Sequence, residues 1–326
     1  TLIRTVAALL FTIGIALPAQ AESEALLQGS APPRFDLLGR EEGLSNLSVS
    51  SIVQDSRGFL WFGTQGGLNR YDGREMKVYR HDPFSEGSLP HDLIQTLHYE
   101  EPAQRLWIGT YNGLSVLDLR EGSFTNVPAG EEGLSNSVVI AITTGPHGYV
   151  WVGTMDGLDR LDPESGQVRK LEIPGGVVRD LHVDEAGTLW IGSYQGVLTV
   201  DTSVANPEVR EAEIDLPSEA VMTIREPSPG ILEFGCWEGG VFTYDRERDK
   251  GELVSLADNR IYTITETGDG VRWVGTWGGG LFAITPDGEI ISYSAEGSDG
   301  KLANPVVYSL HQDRSGILWI GTNGGG

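Results

Sequence analysis

The chain has 326 residues, room for one large domain or two small ones, and its 44 glycines suit many short strands joined by tight turns. Its formal net charge of −23 opposes contact with a phosphate backbone, so we expect no nucleic-acid partner. The single cysteine, Cys236, excludes an intrachain disulfide.

The N-terminal region has the pattern of an export signal. Residues 1–21 contain a basic start at Arg4, an apolar run over residues 6–17, and a small-x-small cleavage site that ends at Ala21. This run is too short to span a bilayer, and no other apolar stretch approaches spanning length, so we expect no direct membrane insertion. We predict a signal peptide over residues 1–21, a linker over residues 22–33 and a periplasmic location.

A motif of the form Leu-Trp-Ile-Gly-Thr recurs along the rest of the chain. Its central position recurs every 39 to 46 residues, at Trp61, Trp107, Trp151, Trp190, Glu233, Trp273 and Trp319. A period of this length with strand-like content is typical of propeller blades that have four strands each. We therefore predict an all-β fold over residues 34–326, a seven-bladed β-propeller whose last blade is incomplete in this fragment.

Each repeat reads as four strands. An apolar strand such as residues 49–54 is followed by a polar turn and by the motif strand. A glycine-rich turn then leads into a third strand such as residues 68–72, and a looser outer strand such as residues 76–80 ends the repeat. No segment has a convincing helical period, so helices are not expected.

The motif tryptophans are expected to be structural. Both faces of the inner strands in a blade are buried against neighbouring blades, and a large ring fills the space between blades that diverge outward. We assign this core role to Trp61, Trp107, Trp151, Trp190, Trp273 and Trp319. Glu233 breaks the pattern: either its repeat tolerates a carboxylate, or the register shifts so that Trp237 fills the gap.

The two ends of the repeat region are expected to join. Residues 34–38 precede a Glu-Glu-Gly-Leu-Ser-Asn segment, as do residues 123–127, which we predict to be an outer strand. Residues 34–38 should therefore be an outer strand of the blade that the last repeat begins, which would remove an exposed edge. Because that repeat stops at Gly326, we expect the chain to be part of a longer protein and to gain stability from a few further residues.

Residues 55–73, Asp-Ser-Arg-Gly-Phe-Leu-Trp-Phe-Gly-Thr-Gln-Gly-Gly-Leu-Asn-Arg-Tyr-Asp-Gly, resemble the two-component regulator propeller repeat. The resemblance implies a periplasmic region of two propellers and a small β-sandwich, then a membrane helix and a cytoplasmic histidine kinase or diguanylate cyclase. It implies that this chain is the first propeller of such a receptor, with a second propeller and a receptor dimer partner. Departures from the repeat are Glu233, Cys236 and Ser193, which leave the expected fold intact but say nothing of the output domain.

No catalytic constellation, metal site or cofactor site is predicted. The chain has no His-Glu-x-x-His or Cys-x-x-Cys spacing, no nucleophile elbow and no phosphate-binding loop. His98, His182 and His311 occupy matching positions near the end of the first strand of their repeats. They could serve a metal or a carbohydrate, or they could be ordinary packed histidines.

The position directly after Gly-Thr varies between repeats and holds Gln65, Tyr111, Met155, Tyr194, Trp237, Trp277 and Asn323. We predict that Tyr111, Tyr194, Trp237 and Trp277 form an aromatic platform on one rim that binds a small molecule or oligosaccharide, because aromatic rings give large contact area and a polar handle. The alternatives are that they pad neighbouring turns or contact the next propeller.

The sequence thus favours a ligand-sensing module of a membrane-bound receptor, of two-component or cyclic-di-GMP type, that is not itself an enzyme. A secreted propeller lyase or glycosidase, which would need carboxylates or histidines clustered on the central face, is the first alternative. A pure interaction scaffold is the second alternative.

Overall fold

A computed structural model describes residues 35–295 and 302–326 of the chain. The predicted signal peptide (1–21) and linker (22–33) lie outside the described residues. Among residues 35–295 and 302–326, no helix is long and apolar enough to cross a membrane.

The described strands pair in chain order into six antiparallel four-stranded sheets and one two-stranded sheet, which we call blades 1 to 6 and the seventh repeat. Blades 1 to 3 comprise β1 (Val49–Gln54), β2 (Leu60–Thr64), β3 (Gly67–Tyr71), β4 (Met76–Tyr79); β5 (Ile94–Glu100), β6 (Arg105–Thr110), β7 (Gly113–Asp118), β8 (Phe124–Val127); and β9 (Val139–Thr144), β10 (Val150–Thr154), β11 (Gly157–Leu161), β12 (Val168–Leu171). Blades 4 to 6 comprise β13 (Val178–Val183), β14 (Thr188–Ser193), β15 (Gly196–Asp201), β16 (Val209–Glu211); β17 (Val221–Ser228), β18 (Ile231–Cys236), β19 (Gly240–Asp245), β20 (Lys250–Val254); and β21 (Ile261–Glu266), β22 (Arg272–Thr276), β23 (Leu281–Ile284), β24 (Ile290–Tyr293). The seventh repeat comprises β25 (Val307–Gln312) and β26 (Leu318–Thr322).

The all-β propeller is therefore confirmed, but the predicted count of seven blades is wrong for this chain. Six blades have four strands, whereas the seventh repeat has two. Only residues 323–326 follow β26, too few for a third strand. The one described helical segment is a short 3-10 turn at Pro146–Gly148.

The first strands of the blades stand side by side in a ring. Each lies next to the first strand of the following blade, and β25 lies next to β1. At this junction the Leu47 carbonyl accepts hydrogen bonds from the N–H groups of Gly324 and Gly326, at 3.1 and 2.8 Å. Ser309 Oγ donates to the Val49 carbonyl at 3.4 Å. The two ends of the repeat region thus meet, as predicted.

Phe35 stands where the outer strand of the seventh repeat was expected. Its ring lies 5.8 Å from that of Tyr293 in blade 6, at an interplanar angle of 66°. Phe124 in blade 2 makes the equivalent contact with Tyr79 of blade 1, with the same distance and angle. Residues 35–38 nevertheless form no strand, which corrects the prediction: among the described residues, no third strand of the seventh repeat lies beside them.

Replacing Phe35 with alanine should lower the free energy of unfolding by about 1–2 kcal/mol, because a half-buried ring is lost from the junction. Phe124→Ala is the matched control, since its ring has the same geometry inside a complete blade. Urea denaturation followed by circular dichroism measures both losses. If Phe35→Ala had no effect while Phe124→Ala did, Phe35 would not help to hold the ends together.

The motif tryptophans pack between blades, and four of the six are buried. The turn before the motif also holds the indole: Asp55 Oδ2 accepts a hydrogen bond from Trp61 Nε1 at 3.0 Å, while Asp55 Oδ1 accepts from the Arg57 and Phe59 N–H groups. Trp273 and Trp319, near the ring junction, are half-buried. The aspartate of the turn therefore shapes the hairpin and satisfies the buried indole.

The motif glycines allow the next blade to approach. A Cβ on Gly153 would lie 2.3 Å from Val178 Cγ1 of blade 4, and a Cβ on Gly275 would lie 2.6 Å from Val307 Cγ1. At the ring junction, a Cβ on Gly321 would lie 2.7 Å from the Val49 carbonyl oxygen. A side chain at these positions would separate neighbouring blades, so the glycine serves packing between blades rather than a turn.

Glu233 keeps the register of its blade, pairing with Arg225 on one side and Thr243 on the other. The carboxylate is 2 % exposed, and two arginines surround it. Arg225 Nε lies 2.7 Å from Glu233 Oε2, and Arg272 Nη1, from blade 6, donates to Glu233 Oε1 at 2.8 Å. Of the two alternatives, the repeat therefore tolerates the carboxylate, and Trp237 stays in its turn.

The three matched histidines each pair with a motif tryptophan across the first two strands: His98 with Trp107, His182 with Trp190, and His311 with Trp319. His98 Nε2 hydrogen-bonds Thr144 Oγ1 of the next blade at 3.0 Å, and burial lowers the pKa of His98 to about 4. His182 Nε2 lies 3.5 Å from Glu226 Oε2, again in the next blade. These two rings face neighbouring blades.

Candidate functional site

The turn between the second and third strands of a blade is tied to the link that enters its first strand. The Tyr111 N–H donates to the Leu93 carbonyl at 3.1 Å, and the Trp237 N–H donates to the Ala220 carbonyl at 2.8 Å. All these turns and links consequently lie at one end of the ring. We call this end the hairpin face, defined by the turn residues Gln65, Tyr111, Met155, Tyr194, Trp237, Trp277 and Asn323.

The threonine of the motif fixes each turn at this face. Thr64 Oγ1 donates to the Gly67 carbonyl at 2.9 Å and accepts from the Gly66 N–H at 3.0 Å. Cys236 takes the threonine position in blade 5 and is buried, and burial raises the pKa of its thiol to about 12. A thiol that stays protonated is a small apolar group here, not a nucleophile.

Two of the four predicted platform residues touch directly. The rings of Trp237 in blade 5 and Trp277 in blade 6 are 5.8 Å apart, and both side chains are half-buried. Tyr194 in blade 4 and Tyr111 in blade 2 are 48 % and 45 % exposed, and neither ring contacts the two tryptophans. The predicted residues thus share one face, but only half of them form a contiguous surface.

Two tyrosines that the sequence prediction missed extend this surface. Tyr262, from β21, has its ring 5.7 Å from that of Trp277 and 5.2 Å from that of Tyr308. Tyr308, from β25, also lies 5.7 Å from Trp277. We call Trp237, Tyr262, Trp277 and Tyr308 the aromatic cluster, and it spans blade 5, blade 6 and the seventh repeat.

Arg179 of β13 connects Tyr194 to the aromatic cluster. Its guanidinium carbon lies 5.7 Å from the centre of the Tyr194 ring and 5.5 Å from that of Tyr262. Arg179 Nη2 donates a hydrogen bond to the Tyr262 hydroxyl at 3.1 Å. The side chain therefore reaches from blade 4 to blade 6, passing the position of blade 5 that Met222 occupies.

Tyr111 makes no ring contact with the aromatic cluster, and its effect on the cluster is electrostatic. Burial raises the pKa of Tyr308, and the nearby Tyr262 and Tyr111 hydroxyls add to the rise. The Tyr111 ring itself lies 6.3 Å from that of His91. Tyr111 thus lies on the hairpin face without a ring contact to the aromatic cluster.

The missed residues share one position in the repeat, directly after the first buried residue of each first strand. That position holds Ser50, Gln95, Ile140, Arg179, Met222, Tyr262 and Tyr308. In all seven repeats the pairing register shifts at this point, so the residue leaves the regular ladder. An alignment of the repeats by their shared apolar pattern, a Val or Ile followed three residues later by a Leu or Ile, would have shown the variable position. The residue types at that position differ as widely as those of the turns.

A second arginine at this face is already paired. Arg260 Nε donates to Asp258 Oδ1 at 2.9 Å, and Arg260 Nη2 donates to Asp258 Oδ2 at 2.7 Å. The Arg260 carbonyl accepts the Trp277 N–H at 3.0 Å, which places this pair beside the aromatic cluster. Over residues 35–295 and 302–326, no group of three or more His, Cys, Asp or Glu side chains is arranged to hold a metal ion.

Comparison with known proteins identifies the repeat. The family described as the two component regulator propeller matches residues 43–66, 172–195 and 295–324. The histidine kinase P4 of Formosa agariphila is 48 % identical over 48 residues, which are 15 % of this chain and 4 % of that protein.

Solved structures share the fold. The extracellular domain of a putative hybrid two component system from B. thetaiotaomicron has a TM-score of 0.80 and 24 % identity, over 90 % of this chain and 41 % of that one. The extracellular domain of a putative one component system from the same organism has a TM-score of 0.72 and 20 % identity, over 87 % and 38 % of the two chains. A virginiamycin B lyase from Staphylococcus aureus, solved with quinupristin, has a TM-score of 0.70 and 14 % identity, over 90 % and 96 %. At these identities the likeness shows the fold alone.

Proposed function

We propose that this chain, which carries two-component regulator propeller repeats, is the periplasmic ligand-sensing propeller of a membrane-bound signal-transduction receptor. The chain spans less than half of the extracellular domains it resembles, and a small part of the kinase. A second propeller, a dimer partner, an inner-membrane anchor and an output domain of kinase or cyclase type belong to this proposal. The proposal assigns the propeller itself no catalytic role.

The aromatic cluster is the observation that carries the proposal. Four rings from blade 5, blade 6 and the seventh repeat meet at the hairpin face while keeping part of their surface exposed. A contiguous, partly exposed aromatic patch of this kind is typical of a ligand or partner site. The apolar faces of a sugar ring stack on aromatic side chains, whose hydroxyl and indole groups can hydrogen-bond its edge. We therefore take a glycan fragment as the ligand.

The location of the cluster suits a sensor. Its rings come from three neighbouring repeats, so a ligand that contacts all of them bridges separate parts of the propeller. A receptor signals only if the ligand has different affinities for its two states. We propose that one receptor state orders these side chains, together with Tyr194 and Tyr111, more tightly around the ligand than the other does.

Replacing Trp237 and Trp277 together with alanine should weaken oligosaccharide binding by about 10-fold or more, because each buried ring contact contributes about 1 kcal/mol or more. Isothermal titration of the purified propeller against a panel of plant and algal oligosaccharides measures this. Tyr149→Ala is the matched control, since Tyr149 is a half-buried aromatic at the opposite end of its blade, stacked with Arg160 at 4.3 Å. Equal affinities for the double variant and the unaltered protein would rule out the hairpin face as the site.

A further inference from the structure

Arg179 has hydrogen-bonding capacity that no described group uses. Its Nη2 donates to the Tyr262 hydroxyl, but its Nε is buried and has no hydrogen-bond partner. No ion pair joins this guanidinium to a carboxylate within residues 35–295 and 302–326. The other N–H groups of Nη1 and Nη2 have no acceptor among the described residues, so this half-buried guanidinium can still donate to a bound anion.

Several arginines of this chain, in which 46 acidic residues face 23 basic ones, pair with carboxylates. Arg260, on the same face, is held by both oxygens of Asp258. Arg225 and Arg272 share Glu233, and Arg246 pairs with Asp184. Arg179 forms no such pair with the described residues, so its guanidinium is a place where an outside anion can bind.

The surroundings of Arg179 hold its guanidinium in place. The Tyr194 and Tyr262 rings lie within 6 Å of it, and the hydrogen bond to the Tyr262 hydroxyl fixes one end of the fork. A guanidinium fixed in this way is prepared to bind a carboxylate through two parallel hydrogen bonds. The same Tyr262 ring belongs to the aromatic cluster, so an anion on Arg179 would lie at the edge of a stacking surface.

We propose that the ligand of this face is an acidic sugar whose carboxylate binds Arg179 while its ring stacks on the aromatic cluster. This inference rests on the proposed sensing function and adds the charge of the ligand to it. Arg179 then determines specificity, since a neutral sugar of the same shape leaves the guanidinium unsatisfied. The aromatic rings supply contact area to both kinds of sugar.

The test compares each acid with its own neutral form. The probes are trimers of galacturonic, mannuronic and glucuronic acid, together with their methyl esters, which keep the shape and remove the charge. Titrations use the unaltered propeller, Arg179→Gln and Arg179→Lys, with Arg160→Gln as the matched control because Arg160 also stacks on a tyrosine. Thermal melting verifies that each variant is folded.

We expect at least one acid to bind the unaltered protein about 10- to 100-fold more tightly than its methyl ester, as a bidentate charged contact predicts. Arg179→Gln should remove this difference, Arg179→Lys should keep part of it, and Arg160→Gln should keep all of it. The ester comparison needs no variant, so it decides even if an Arg179 variant misfolds.

Two other results would count against the inference in different ways. If the acids and esters bound equally, and Trp237→Ala with Trp277→Ala weakened both, the sensing proposal would stand and the anionic ligand would be excluded. If none of the acids, esters or neutral oligosaccharides of the earlier panel bound, the sugar-sensing proposal would fail, and the inference with it.

Discussion

Trp151→Ala should lower the free energy of unfolding by about 3–5 kcal/mol, the range for truncating a large buried aromatic side chain. Trp151 is fully buried between blades 3 and 4, where it packs with Leu181, Leu189 and Ile191. Its Nε1 has no hydrogen-bond partner, because Gly145 stands where the turns before Trp61, Trp190 and Trp319 carry an aspartate. The loss therefore reports packing between blades, without a contribution from a broken indole hydrogen bond.

Chemical denaturation followed by circular dichroism measures this loss. Trp319→Ala is the matched control, since Trp319 occupies the same motif position but is half-buried and donates to Asp313 Oδ2 at 2.8 Å. We expect a clearly smaller loss for Trp319. Equal losses at the two positions would mean that burial between blades does not set the contribution of the motif tryptophan.

Glu233→Leu should cost about 3–5 kcal/mol of stability, although it replaces a charged side chain with an apolar one in the core. The substitution leaves Arg225 and Arg272 without their shared carboxylate, and their side chains are only 17 % and 24 % exposed. The remaining partner of Arg225 is Glu266, which lies nearer the solvent. The loss comes from leaving positive charge buried without a partner.

The triple variant Arg225→Leu, Glu233→Leu and Arg272→Leu separates this cause from a defect in packing. Removing all three charges should recover most of the stability that Glu233→Leu loses, because no buried charge is then unpaired. The same denaturation experiment measures both variants. A triple variant less stable than Glu233→Leu alone would show that the arginine side chains matter for their packing and not for their pairing.

Much of the fold was readable from the sequence because the repeat imposes the same packing problem in every blade. Trp61 and Trp107 fill the same space between blades, and Gly153 and Gly275 allow the same close approach. The repeat pattern did not predict the number of complete blades, because a strand forms only where a neighbouring strand pairs with it. The Phe35 ring contacts Tyr293 of blade 6, yet residues 35–38 form no strand because no third strand lies beside them among the described residues.

The sequence predicted only part of the candidate site, because the residues of this site occupy positions at which the repeats differ. The turn position identified Trp237 and Trp277, which do meet across two blades. Tyr262, Tyr308 and Arg179 lie where the strand register shifts, and the direction of such a side chain depends on the local bulge. The hydrogen bond from Arg179 to Tyr262 also joins blades 4 and 6 past blade 5. A comparison of adjacent repeats alone does not predict such a contact.

The most direct measurement is a crystal structure of this propeller bound to the tightest-binding sugar from the titrations. We predict a sugar ring stacked on Tyr262 and Trp277 at the hairpin face, with its carboxylate within hydrogen-bond distance of the Arg179 guanidinium. A sugar bound elsewhere on the propeller, with the aromatic cluster uncovered, would contradict the proposed site.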